Sequence, residues 1–239
     1  MLAIVSAPSN LGLRPPEPGA VPGTAKAPEA LREAGLYSRL AELGARDAGT
    51  VLPARYVDDD ATRPAGHFQH PAISDECASV AGEDLAAAIG LHWPAIADID
   101  GRGPYFDPER TVHIGCRDDD SELDLVRATI GAVAPASEVI LHGGARAAAR
   151  VRDVADQGAG YWLQVDVDVL DPEVMPAVDS PDPGGLRPDE LTALLQGLAP
   201  RAIGASITVF DPDLDPDGLY AVLLTDIIVS GLAELGTEL

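Results

Sequence analysis

The stretch that decides the fold is QVDVDVLDPEVMPAVDSPDPGGL, residues 164–186. It continues an apolar run that begins at Tyr161, so it reads as a buried β-strand over 161–167 that emerges into an acidic, proline-punctuated loop. On a strand, side chains alternate between faces, which places Asp166 and Asp168 on the same side at the strand's C-terminal end. Two carboxylates so placed repel each other unless a cation neutralises them, and the carboxyl ends of parallel strands are where α/β sheets bind ligands. A solvated loop or a capping turn accounts for Asp171 and Asp182 equally well. It accounts poorly for Asp166 and Asp168, which follow directly on apolar sequence.

Outward from this point the chain alternates in type. Strands are expected over 2–6, 45–52, 111–115, 138–142 and 202–210, and helices over 28–43, 84–91, 121–133, 144–157, 188–198 and 217–233. Pro28 suits a first helical turn, Leu31, Leu36, Leu40 and Leu43 recur at helical spacing, and Gly44 suits a left-handed stop. Repeated β-then-α alternation predicts a parallel sheet covered by helices on both faces. Residues 53–84 carry no periodic element and are interrupted by Pro53, Pro64 and Pro71, so they read as a functional loop or as the scar of missing sequence.

Composition sets the limits. With 239 residues, 46% of them hydrophobic, the chain can bury one large core, and a single domain over 1–239 is expected. No apolar run approaches the ~20 residues of a membrane span, and the first ten residues lack the basic start and apolar core of a secretory leader. A cytoplasmic protein is expected. The formal charge of −23 repels nucleic acid and anionic membranes alike, leaving small cationic ligands and metal ions as the favoured partners. The only cysteines, Cys77 and Cys116, form no CxxC pair and read as free thiols. There is no phosphate-binding glycine loop, and His92 and His113 read as packed or surface histidines.

The segment 164–186 resembles the arginase/agmatinase (ureohydrolase) family, which carries Asp-x-Asp-x-x-Asp-Pro followed by a loop ending Gly-Gly-Leu. Here Asp166, Asp168, Asp171, Pro172 and Gly184-Gly185-Leu186 fall in step. Similar landmarks are the stretch from Ser6 to Gly12, the segment from Gly23 to Gly35, Ile114-Gly115-Cys116-Arg117-Asp118 and Phe210-Asp211-Pro212. The resemblance implies a three-layer αβα sandwich with a mostly parallel sheet, arginase-like and with fewer strands than the family. It also implies a pair of Mn2+ ions sharing a hydroxide that attacks a guanidinium carbon. Asp166 would match the carboxylate bridging both ions, Asp168 a ligand of the second, and His67 a metal-binding histidine.

The departures are equally specific. The family's Gly-Gly-Asp-His segment has no counterpart, since Gly143-Gly144 runs on into Ala145 and Arg146. Ala65 stands where an aspartate ligand belongs beside His67, Ala81 where arginases hold a catalytic histidine, and Val209 where many members hold a glutamate facing the guanidinium. Three readings follow. One is a metal-dependent hydrolase of a carbon–nitrogen bond in a guanidino or amidino compound, with a degraded metal site. Another is a catalytically inactive family remnant, structural or oligomer-forming. The third is a single-metal binder using His67, Asp166 and Asp168. At most one ion is expected, a small cationic guanidino compound is the partner if the chain is active, and homo-oligomerisation is left open.

Overall fold

The structure is a computed structural model that describes residues 2–10, 20–52, 83–92 and 94–239. Strand β1 (Ala3–Ser6) leads to helices α1 (Ala27–Glu33) and α2 (Leu36–Glu42), then β2 (Arg46–Thr50), α3 (Glu83–Ala88) and α4 (Pro94–Ala97). There follow β3 (Val112–Ile114), α5 (Leu123–Thr129), β4 (Ala132–Ala134), α6 (Ala136–His142), α7 (Gly144–Ala155), β5 (Tyr161–Asp166), α8 (Pro188–Leu198), β6 (Ala202–Thr208) and α9 (Leu219–Gly231).

Three expectations are corrected. The single helix over 28–43 is two, because Gly35 adopts φ 88° and turns the chain between α1 and α2. The helix expected over 121–133 stops at Thr129, and its tail becomes β4, which pairs with β3 in parallel. The strand expected over 138–142 is helix α6. Its apolar residues mimic a strand, but Val139 is fully buried while Ile140 and Leu141 are 48% and 77% exposed, the one-sided burial of a short helix entered from Pro135.

The described strands pair in three parallel ladders, β1 with β2, β3 with β4 and β5 with β6. Along β5, Tyr161, Leu163 and Val165 are buried, and they join one core with Val151, Leu194, Leu195, Leu224 and Ile228 of α7, α8 and α9. On the opposite side of β5, Trp162 is 47% exposed among the described residues. That face carries polar cross-strand bonds, with Trp162 Nε1 donating to Ser206 Oγ at 3.1 Å and Gln164 Nε2 to Thr208 Oγ1 at 2.7 Å. Cys116 is a free, half-buried thiol, and burial pushes its pKa up to about 11. Cys77 lies outside the described residues.

Two features of this packing make checkable predictions. The Oγ1 of Thr225, fully buried in α9, has no hydrogen-bond partner among the described residues. A buried, unsatisfied hydroxyl costs about 1–3 kcal/mol. Thr225→Val should therefore leave the melting temperature unchanged or raise it, and a clear fall would show that the hydroxyl is satisfied.

Asp156, just past α7, accepts bonds from Arg201 Nε at 2.6 Å, Gly158 N at 2.8 Å and Gly160 N at 3.2 Å. The Arg201 bond first, then the Gly158 amide, hold its carboxyl well below the usual carboxylate range. Its contribution to stability is thus fully present above the unfolded-state pKa, about 3.9, and is lost as pH falls through the lower folded value. In Asp156→Asn the loss of stability below about pH 4 should be shallower, and denaturant melts across that range check it. An unchanged acid limb would remove Asp156 from the linkage.

Candidate functional site

The β5 ladder ends at Asp166, which pairs in register with Thr208, and the chain then enters a 3-10 turn over Val167–Val169. Strand period therefore does not set the position of Asp168, as the sequence pattern suggested; the turn does. The alternation of burial nevertheless carries through it. Val165 and Val167 are buried, while Asp166 and Asp168 are half-buried, with Asp166 Oδ1 itself out of contact with solvent.

The third aspartate of the motif has a different task. Asp171 Oδ1 accepts from Glu173 N and Oδ2 from Gly184 N, each at 2.9 Å, so its carboxylate closes a loop thirteen residues apart in sequence. The same amides, Glu173 first, hold its pKa below the ordinary value. Around it, Asp171 N donates to Leu186 O and Leu186 N to Val169 O, and Leu170 forms a parallel bridge with Leu186. Met175, Ala177 and Leu186 are fully buried inside this loop, so it is packed as core. Pro188 then starts α8, with Arg187 N donating to Glu190 Oε2 at 2.8 Å.

Neighbouring strand ends complete the surroundings. Gly115, directly after β3, has φ 80°, and a Cβ there would lie 2.5 Å from Val169 Cγ2; both facts require glycine. Arg117, two residues on, donates to the carbonyl oxygens of Asp168 and Asp182 at 2.7 Å, Leu170 at 3.3 Å and Gly115 at 3.4 Å. At the end of β6, Val209 has φ 74°, a conformation that a β-branched residue adopts only under local constraint. Beyond it the buried Asp211 donates its amide to Ala177 O at 2.8 Å and accepts from Gly23 N at 3.1 Å, tying the β6 end to the 170–186 loop and to the N-terminal segment.

The sequence pattern of the Arginase family matches residues 101–233, more than half of the 239-residue chain. The chain belongs to the arginase family. Among its relatives, an N(omega)-hydroxy-L-arginine amidinohydrolase from Streptomyces lavendulae is 32% identical over 154 residues, covering 64% of this chain and 50% of the relative. The arginase of Bacillus caldovelox is 31% identical over 141 residues, or 57% of this chain and 47% of that enzyme. The matched stretches thus span about half the length of these curated relatives. A crystal structure of arginase from Bacillus subtilis superimposes with a TM-score of 0.78 at 20% identity, over 97% of this chain and 98% of that one. The fold is the arginase-like α/β fold.

Against that family pattern, the structure gives three of the motif's features distinct places. Asp166 and Asp168 stand at the mouth of β5, Asp171 and the glycines close the loop, and Val209 occupies the β6 end. His67, with Ala65 and Ala81, lies outside the described residues. Among the described residues no group of three or more His, Cys, Asp or Glu side chains gathers to hold a metal ion. Among them, too, no helix is long and apolar enough to cross a membrane. Arg117 and Asp211 had been legible only as family landmarks. A glycine followed two residues later by arginine at a strand end was the available signal for Arg117, but the bonds of Arg117 to Asp168 and of Asp211 to Gly23 reach segments more than fifty residues away.

Proposed function

We propose that this arginase-family chain is a metal-dependent hydrolase of a carbon–nitrogen bond in a guanidino or amidino compound, with a metal centre reduced to Asp166, Asp168 and His67. The observation that carries the reading is the built end of β5: two half-buried carboxylates on a turn held by the closed, packed loop from Asp171 to Leu186. Such a loop supports the ligand role because a binding constellation needs a rigid frame. Mn2+ is the ion expected from the family resemblance.

A second reading, an inactive remnant, is favoured by one specific observation. Val209, apolar and strained, stands where the family pattern holds a glutamate, and it offers nothing to a guanidinium cation. This weighs against arginine and agmatine as substrates.

Titration of Mn2+ by calorimetry, on the wild type and on Asp168→Ala, tests the site. Weak binding of at most one ion is expected, abolished by the substitution. Tight uptake of two ions, or binding indifferent to the substitution, would overturn the proposed ligand set.

A further inference from the structure

We propose that Arg117 is the positioning residue of the β5 end: it sets the direction of the Asp168 side chain by gripping the main chain that carries it. The inference rests on reading Asp166 and Asp168 as the site. Arg117 Nη2 donates to Asp168 O at 2.7 Å, to Asp182 O at 2.7 Å and to Leu170 O at 3.3 Å, while Nε reaches Asp182 O at 3.1 Å and Nη1 Gly115 O at 3.4 Å. A guanidinium is a planar fork of five N–H donors with fixed geometry, so one side chain ties together the β3 end, the middle and exit of the 3-10 turn and the far limb of the loop.

The consequence for Asp168 is geometric. Its carbonyl is locked by a charge-assisted bond, which fixes its peptide plane and hence its ψ, and through ψ the course of the turn relative to its Cα–Cβ bond. Within the turn, the 3-10 bond from Leu170 N goes to Val167 O, and the Asp168 carbonyl accepts from Arg117 instead. Gly115 completes the arrangement. Its left-handed backbone, and the absence of a Cβ that would strike Val169, let the β3 end come close enough for Arg117 to reach over the turn.

Amide hydrogen exchange on the full chain tests this in wild type, Arg117→Met and Arg117→Lys. The reporters are the amides of Asp171, Gly184 and Leu186, which close the loop, against the β5–β6 ladder as internal reference. Arg117→Met should lower protection of the loop amides by about tenfold or more, the scale of one lost charge-assisted bond, with the ladder unchanged. Lysine keeps the charge but not the fork, so Arg117→Lys should fail to restore protection; if the Met variant does not fold, the Lys variant decides alone. Unchanged loop protection, full rescue by lysine, or a parallel loss in loop and ladder would overturn the assignment, the last by reducing Arg117 to general stability. Mn2+ uptake measured on the same samples separates the two ideas: a wild type that takes up no ion removes the metal reading, while the exchange result still decides Arg117.

Discussion

Purified protein supplied with excess Mn2+ is expected to release no urea from arginine or agmatine above a metal-only control. The expectation follows from what each step needs. Activating water at neutral pH requires metal charge focused on one oxygen. The residues proposed for the task are two carboxylates, Asp166 and Asp168, and one imidazole, His67. Removing a group that merely supports a ligand typically costs ~10–100-fold in affinity or activity, and removing ligands themselves costs more. On the proposed reading, substrate binding would be impaired independently, because a guanidinium entering beside Val209 would shed its water without gaining a carboxylate. The two defects act on different steps, so their costs compound. Urea release by the wild type that vanishes in Asp166→Ala would sink this expectation and the remnant reading with it.

The second large effect is expected at the glycine pair that closes the loop, and its order is the reverse of what backbone conformation suggests. Gly184 has φ 90°, and its nearest neighbour to an added Cβ is Arg117 Cδ at 3.9 Å. Gly184→Ala should therefore cost only the left-handed penalty of about 1–2 kcal/mol. Gly185 needs no unusual φ, yet a Cβ there would lie 2.6 Å from Asp171 N and from the Leu170 carbonyl carbon. Those are main-chain atoms inside the Leu170–Leu186 bridge and cannot swing aside. Overpacking of this kind costs about 1–3 kcal/mol, and separating Asp171 N from Leu186 O forfeits roughly 0.5–1.5 kcal/mol more. Equilibrium denaturant melts of the two variants give the comparison. A larger loss in Gly184→Ala would mean that the loop closes differently.

Legibility varied with the range of the interactions involved. Strands β5 and β6 and helices α7, α8 and α9 were readable because each is long and periodic enough for its own residues to choose the state. β4 was not: Ala132, Val133 and Ala134 suit a helix end as well as a strand, and only pairing with β3 selects the latter. Helix α6 failed for the complementary reason, since Glu138-Val139-Ile140-Leu141 has strand-like composition and helical burial.

What the sequence by itself determined is local. It set the apolar run that makes β5, the acids that end it, and the proline and glycines that shape the following loop, because backbone preference and side-chain alternation act over a few residues. The tertiary structure alone decided which of those acids are spent. Asp171 is committed to amides of Glu173 and Gly184, Asp168 sits on a turn gripped by Arg117, and Val209 is strained at the end of the neighbouring strand. Each depends on contacts with distant segments that form only when the chain packs, so linear spacing carries no record of them.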